Sequence, residues 1–553
     1  SRSLIGKARL EDLLTIEGIN LWEVCSPVII MHHLIFITRY TDLINTVFRI
    51  ENPKRVILDG PDSLFSRIFE TIARSNNIEV SFLSGPGWRH KIRRSYRLYV
   101  WPVLRGAISW ARIMRSAASI GPSRAPEKGR TVFLTTSRWQ SKLILPVLKA
   151  LRERRKDGFS VIFSMKNPEM AEVKRRGLSC RFFREYLNLD VFRRIRRTQA
   201  LHKRLWRTVT GDEGSLKAVQ YKNINIWDFI KPVLEYLLFN PVNPASWSVE
   251  LAREAFDRER PGMVVYSDFI DIFSRYMILL ARDNKILILM IQYGVTGPGG
   301  GSWKFCLADK IAVSGEYFKN VFEKIGFLPE QSIITGQPRF DGLIKGKFSI
   351  SGMRAGLGLP NGKRIILFTS TVYSKSHPSE NEGMLTKKEY QIWLREIYRA
   401  CNGLEGAYIV VKPHHHPRDP ASMHDQIIRE LDMSAKARVV SIYANTTDLI
   451  KASTIMITWE STTALEAIAL GKPVVIVNLT GRPDFVPYVQ RGAAIGAYKK
   501  EDILPALQRA LDDKETQDRM MASQRQFSAD WLYKVDGKAS ERIAELIMDL
   551  NKD

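Results

Sequence analysis

The chain has 553 residues, of which 45% are hydrophobic. That suffices for two to four packed domains of roughly 150 residues, and it excludes a disordered tail, a collagen-like fibre and a small disulfide-stapled module. Lys and Arg total 83 against 58 Asp and Glu, a formal charge of +25, which implies a polyanionic partner: nucleotide phosphates, anionic lipid or nucleic acid. The four cysteines (Cys25, Cys180, Cys306, Cys401) are scattered and form no CxxC pair. A disulfide framework or structural zinc is therefore disfavoured, and a reducing cytosol is expected.

No apolar run reaches the ~18 residues of a membrane-spanning helix. The best candidate, Val28–Ile37, is short and carries two histidines. Neither a spanning segment nor a signal peptide is expected.

In chain order, strands are predicted at Arg55–Leu58, Val80–Leu83, Thr131–Leu134, Ser160–Phe163, Met263–Tyr266 and Ile286–Ile291. A second series follows at Arg364–Phe368, Tyr408–Val411, Arg438–Ile442, Ile455–Thr458 and Val474–Val477. Many are continuous Val/Ile/Leu runs, as in parallel strands buried on both faces, with helical stretches between them. The expected fold is α/β: two Rossmann-like, doubly wound domains facing across a cleft. A turn-rich stretch near 337–362 precedes a fresh strand series. It suggests an amino-terminal domain over 1–340, a second domain over 341–520 and a terminal helix over 521–553.

Two basic stretches interrupt the pattern. Arg89–Arg124 has nine Lys/Arg and no acid, beside Trp101, Trp110 and branched aliphatics. Such a mixture suits a helix lying in an anionic membrane surface. Arg184–Arg207 carries Arg193, Arg194, Arg196, Arg197, Lys203, Arg204 and Arg207. It reads either as a second membrane-surface helix or as a solvated face packed on its domain. Nucleic acid is not expected as a partner, because no helix-turn-helix, RRM signature or zinc finger is present.

The segment TIMITWESTTALEAIALGKPVVIV (454–477) ends a strand at Thr458, turns through a polar elbow and enters a helix that Gly471 and Pro473 close. Ser461, Thr462 and Thr463 thus stand at a helix amino terminus beyond a strand tip, where orphan amides attract phosphate. Thr463 and Glu466 have the spacing of a capping box, so Glu466 either serves the cap or bonds a ribose diol. In YIVVKPHHHPRD (408–419) a strand leads into Lys412, His414, His415, His416 and Arg418. Metal is disfavoured there, since adjacent residues rarely converge on one ion. A cationic loop at a strand end suits a diphosphate, and one of its histidines is a candidate acid for the leaving group. Thr369, Ser370 and Thr371 end the first strand of this second series, where small hydroxyl residues let amides approach a phosphate. In Ser441–Leu449, which includes Tyr443, the strand end and helix start suit a nucleotide base or serve capping alone.

In the first series, Asp268 and Asp271 follow a strand and are candidate bases, with pairing to Arg275 as the alternative. Gln292, Tyr293 and Gly294 end the next strand as candidate acceptor contacts. The following Gly-rich loop has neither Rossmann nor P-loop spacing, and no G-x-S-x-G elbow is present.

The run ADKIAVSGEYFKNVFEKIGFLPEQSIITGQPRFD (308–341) resembles the interdomain region of GT-B surface-polysaccharide glycosyltransferases. VVKPHHHPRD and ITWESTTALEAIALGKPVVIV resemble the nucleotide-sugar half of that fold, and the latter is also similar to UDP-N-acetylglucosamine 2-epimerases. KPHHHPRD is similar to a basic motif of Kdo, polysialic acid and CDP-glycerol capsule transferases. YKVDGKASERIAELI (533–547) resembles the carboxyl-terminal helix of such proteins. The resemblance implies donor phosphates at Ser461, Thr462 and Thr463, a ribose at Glu466, and His416 with Lys412 on the phosphate side. Tyr293 stands where many relatives have His, and the Glu-Ser-Thr-Thr elbow departs from the epimerase Ser-Gly-Gly.

Together these features lead to an expected glycosyltransferase, metal-independent and inverting, acting on a lipid-linked or surface glycan at the cytoplasmic membrane face. The nucleotide-sugar donor is a co-substrate, and no resident cofactor is expected. Asp268 is the expected base and His416 the expected leaving-group partner. A nucleotide-sugar 2-epimerase and a CDP-alcohol- or CMP-sugar-dependent capsule transferase are the alternatives.

Overall fold

The computed structural model describes residues 4–5, 8–9, 15–16, 19–20, 23–24, 29–30, 34–61, 64–84, 129–154, 158–211, 220–222, 224–239, 245–268, 271–295, 301–344, 349–373, 385–414, 419–459 and 461–551. The basic stretch Arg89–Arg124 lies outside them, as do His415, His416 and Arg418. By their contacts the described residues divide into two compact units. Those of 1–145, 154–291 and 302–310 form the first, and those of 146–153, 292–301 and 311–553 form the second.

A seven-stranded sheet is built from β1 (Arg130–Thr135), β2 (Phe159–Phe163), β3 (Cys180–Phe182), β4 (Pro261–Tyr266), β5 (Leu287–Ile291), β6 (Lys310–Val313) and β7 (Ser332–Ile334). Its order is β7-β6-β5-β4-β1-β2-β3. A six-stranded sheet in the second unit is built from β8 (Arg364–Thr369), β9 (Ala407–Lys412), β10 (Ala437–Val439), β11 (Ile455–Thr458), β12 (Val474–Val477) and β13 (Ile495–Ala497), in the order β10-β9-β8-β11-β12-β13. Both orders are doubly wound, and each reverses beside its first strand, between β1 and β4 and between β8 and β11. Ligands of such sheets bind beyond the carboxyl tips at these reversal points. The expected α/β class is thus the observed one.

The predicted strands formed with small shifts. Arg438–Ile442 shortens to Ala437–Val439, and the predicted early strands pair as Arg55–Leu58 with Glu79–Phe82, a separate two-stranded parallel ribbon. Central strands are buried along their length: Val132, Phe133 and Leu134 of β1, and Ile365 to Phe368 of β8, are at most 1% exposed. Continuous apolar runs are what two helical layers require.

The helices used below are α1 (Arg138–Arg154), α2 (Leu189–Gly211), α3 (Ala245–Glu259), α4 (Ile272–Asp283), α5 (Glu316–Lys324), α6 (Lys387–Asn402), α7 (Ala421–Glu430), α8 (Thr446–Ala452), α9 (Thr463–Ala469), α10 (Lys500–Asp512), α11 (Lys514–Leu532) and α12 (Ala539–Leu550). Within the second unit, α11 and α12 return to the segment around β6 and β7. Trp531 stacks on Tyr317 with ring centroids 4.1 Å apart. A Cβ on Gly315 would collide with the Asp530 and Trp531 backbone, so only glycine permits that approach. Asp341 accepts the amides of Ala539 and Ser540 at 2.9 Å each, satisfying the first turn of α12. No helix among the described residues is long and apolar enough to cross a membrane.

Candidate functional site

The tips of β8 and β11 carry a connected set of hydroxyls. Thr458 Oγ1 donates to the Thr369 carbonyl at 3.0 Å, and Thr369 Oγ1 donates to Thr458 Oγ1 at 3.0 Å. Thr369 Oγ1 also lies 3.3 Å from Thr463 Oγ1, which is 2.7 Å from Ser461 Oγ. Threonine at a strand end places a β-branched hydroxyl on a rigid backbone, so this set is preorganised. Thr458 is fully buried, while Ser461, Thr462 and Thr463 are half-buried.

The expected capping box is not formed. Thr462 caps α9 without a side-chain bond, and it is Ser461 Oγ that accepts the Thr463 amide, at 3.2 Å. Glu466 has stronger partners. Its Oε1 accepts Arg339 Nη2 at 2.8 Å and its Oε2 accepts Thr447 Oγ1 at 3.1 Å. A guanidinium outcompetes a neutral amide for a carboxylate, which draws Glu466 away from the cap. Arg339 Nη2 also lies 3.4 Å from the Thr462 carbonyl. A cation therefore stands beside the elbow, contributed by the QPRFD segment.

On the other side of β8, Thr369 pairs in register with Lys412 of β9. Beyond them stands Asp419, 1% exposed. Its Oδ1 accepts Tyr390 OH at 2.7 Å and lies 2.7 Å from His424 Nε2. Its Oδ2 accepts the His414 amide at 2.5 Å and a short bond from Ser370 Oγ. His414 N also reaches Ser370 Oγ at 3.2 Å. Beyond His424, Nδ1 is 2.6 Å from Tyr398 OH. Since an ionised Asp419 can only accept, Nε2 carries the His424 proton and Nδ1 accepts from Tyr398 when the ring is neutral. Burial pushes the Asp419 carboxyl up, but the bond and charge attraction of His424, with the Ser370 and Tyr390 hydroxyls, outweigh it and hold the carboxyl below its usual range. This buried network ties the start of the histidine loop to the tip of β8.

The remaining candidates lie as follows. Lys412 Nζ donates to the Ile442 carbonyl at 3.3 Å, reaching the loop before α8. Tyr443 on that loop is 78% exposed. Thr371 gives its carbonyl to Tyr390 OH at 3.0 Å. Gln292 is 1% exposed and its amide serves the backbone, accepting Ser314 N at 2.8 Å and donating to the Gly294 carbonyl at 3.1 Å. Tyr293 is 36% exposed, and Gly294 takes φ +73°, which glycine allows.

In the first unit, Asp268 sits at the β1/β4 reversal point. Its Oδ2 accepts Gln140 Nε2 at 2.7 Å and Thr136 Oγ1 at 3.4 Å, in place of the Arg275 alternative. Arg275 instead donates to the Phe305 carbonyl at 2.6 Å. Asp271 caps α4, accepting Ser274 N at 3.1 Å. Burial, against the Ser274 bonds, raises its carboxyl to about 6.

The structure therefore brings Thr369, Ser461 and Thr463 together on one flank of β8, and Ser370 and His414 on the other. Arg339, Thr458 and Asp419 were given no site role by the sequence, although Asp419 closes the KPHHHPRD segment itself; Thr447 lay within the Ser441–Leu449 candidate segment. Among the described residues no group of His, Cys, Asp or Glu is arranged to hold a metal ion.

No curated protein sequence matches the chain. Among solved structures, it is similar to the MnaA–UDP complex of S. aureus, with 16% identity and TM-score 0.49, covering 77% of this chain and 97% of that one. It is also similar to the UDP-GlcNAc 2-epimerase of Neisseria meningitidis bound to UDP-GlcNAc, with 14% identity and TM-score 0.48, covering 76% and 100%. Residues 304–549 match the family model CDP-Glycerol:Poly(glycerophosphate) glycerophosphotransferase. The CDP-glycerol transferases that KPHHHPRD resembles, a family of transferases, are thus the family to which this chain is similar across the whole six-stranded sheet and its flanking helices.

Proposed function

We propose that the chain transfers a group from a nucleotide-linked donor to a surface-polymer acceptor, with the donor phosphates held beyond the tips of β8, β9 and β11. One observation carries this reading: a hydroxyl set at a sheet reversal point, flanked by a loop that a buried carboxylate anchors. The family match favours a CDP-alcohol donor. In that case an acceptor hydroxyl oxygen attacks the distal phosphorus. The bond from that phosphorus to the bridging oxygen breaks, CMP departs, and the acceptor proton passes to a base. Asp268 is the proposed base. His416 is the proposed partner of the departing phosphate, with Lys412, His415 and Arg418. Glu466, set by Arg339, is proposed to bond the ribose. Cations of the histidine loop and helix amides would stabilise the leaving charge.

The second reading is an inverting, metal-independent glycosyltransferase using a nucleotide sugar. It is supported by the same grip and by the resemblance of the 454–477 segment. A thermal-shift screen tests both. Stabilisation by CDP-glycerol supports the first reading, and stabilisation by a nucleotide sugar supports the second. No shift with any nucleotide refutes both.

A further inference from the structure

Helix α2 presents a cationic face that serves no part of the site above. At 100° per residue, positions 193, 196, 197, 203, 204 and 207 fall within an arc of roughly 120° and span about 21 Å of axis. All six are Arg or Lys and all are exposed. The opposite arc is buried through Val191, Ile195, Thr198 and His202. Three acids beside the helix are occupied. Asp190 pairs with Arg193 at 2.8 Å, while Glu250 and Glu254 of α3 take Arg194 at 3.3 and 2.8 Å on the flank of the helix. Arg196, Arg197, Lys203, Arg204 and Arg207 form no ion pair among the described residues.

The other side chains on this face select the partner. Base stacking needs exposed aromatics, and the face has none, since half-buried Trp206 packs with Trp227 and Phe239. Membrane insertion needs an apolar flank. Here, among the α2 residues whose exposure is described, Leu189 in the first turn is the one large exposed apolar residue. What remains is a row of mainly guanidinium forks, which match phosphate oxygens two at a time.

We propose that this face of α2 is a docking surface for a linear phosphodiester polymer, the acceptor chain of the proposed transfer. The choice of polymer rests on that reading; the cationic row does not. Such a surface would hold a long acceptor by charge along its length, in a sequence-independent and salt-sensitive way.

The test is fluorescence anisotropy of a labelled synthetic glycerol-phosphate oligomer with the full chain. The quadruple variant R196E/R197E/R204E/R207E is expected to bind roughly tenfold more weakly or worse at low salt. A control reversing exposed cations elsewhere (K387E/K388E/K514E/R519E) is expected to keep most of the affinity. Equal affinity in wild type and the α2 variant overturns the proposal, as does an equal loss in the control, which would mean bulk charge alone. Binding to phosphatidylglycerol vesicles but not to the oligomer also overturns it, in favour of a membrane. The CDP-glycerol thermal shift is read in parallel. Oligomer binding without any nucleotide shift leaves the surface standing and removes the proposed function; a nucleotide shift without oligomer binding does the reverse.

Discussion

Replacing Asp419 should loosen the histidine loop and the fold beneath it together. In Asp419→Ala, Ser370 Oγ, Tyr390 OH, the His414 amide and His424 Nε2 lose a buried acceptor at once. An unsatisfied buried donor costs about 1–3 kcal/mol, and some will find one another, so a loss of about 3–5 kcal/mol is expected. Asp419→Asn keeps the shape, but its amide nitrogen cannot accept, and about 1–3 kcal/mol should go. Trp393 reports the change, because it stacks on Tyr390 with centroids 5.6 Å apart. Urea unfolding followed by tryptophan fluorescence gives the difference. The depressed carboxyl also sets the sign with pH. Its contribution is present above the unfolded value near 3.8 and is lost as pH falls through the lower folded value. Asp419→Asn should therefore lack that part of the acid limb. An Asp419→Ala protein within ~1 kcal/mol of wild type would refute the network as an anchor.

Three further outcomes are expected. Arg339→Ala leaves Glu466, 13% exposed, without its cation, so donor affinity should fall roughly tenfold in a thermal-shift titration, with partial rescue by Lys. Gly315→Ala forces a Cβ against the Asp530–Trp531 backbone and should cost about 1–3 kcal/mol in urea unfolding. Asp271→Asn keeps the α4 cap but removes a carboxyl raised from 3.8 to about 6, whose stabilising share is full below the unfolded value and lost as pH rises through the folded one. The variant should gain about 2–3 kcal/mol relative to wild type between pH 4 and pH 7, measured by denaturation at each pH.

The strands that sequence reading found are those whose apolar runs are long enough to declare burial, such as Arg364–Phe368 and Ile455–Thr458. The edge strands Cys180–Phe182, Ser332–Ile334 and Ile495–Ala497 escaped it, because three residues carry no periodicity. Within the site, hydroxyls at strand tips were legible because placement alone suggests phosphate. Asp419 was not, since its Ser370 partner lies 49 residues away and local spacing showed only a loop. For Glu466 two roles were open in the sequence, cap or ribose contact, and the cap falls for the same reason: Arg339, 127 residues distant, claims its carboxylate. Long-range partners decide the role of a polar side chain, and no window along the chain displays them.

The hydroxyl set at 369, 458, 461 and 463 has a directional consequence. Thr458 spends its proton on a carbonyl and Thr369 spends its own on Thr458. Thr369 thus meets Thr463 only as an acceptor, so Thr463 donates there and Ser461, at the open end of the chain, donates to Thr463; the Ser461 proton is the one that can be redirected without breaking the links beneath it. An incoming anion could collect it by a hydroxyl rotation alone, with every heavy atom left where it stands.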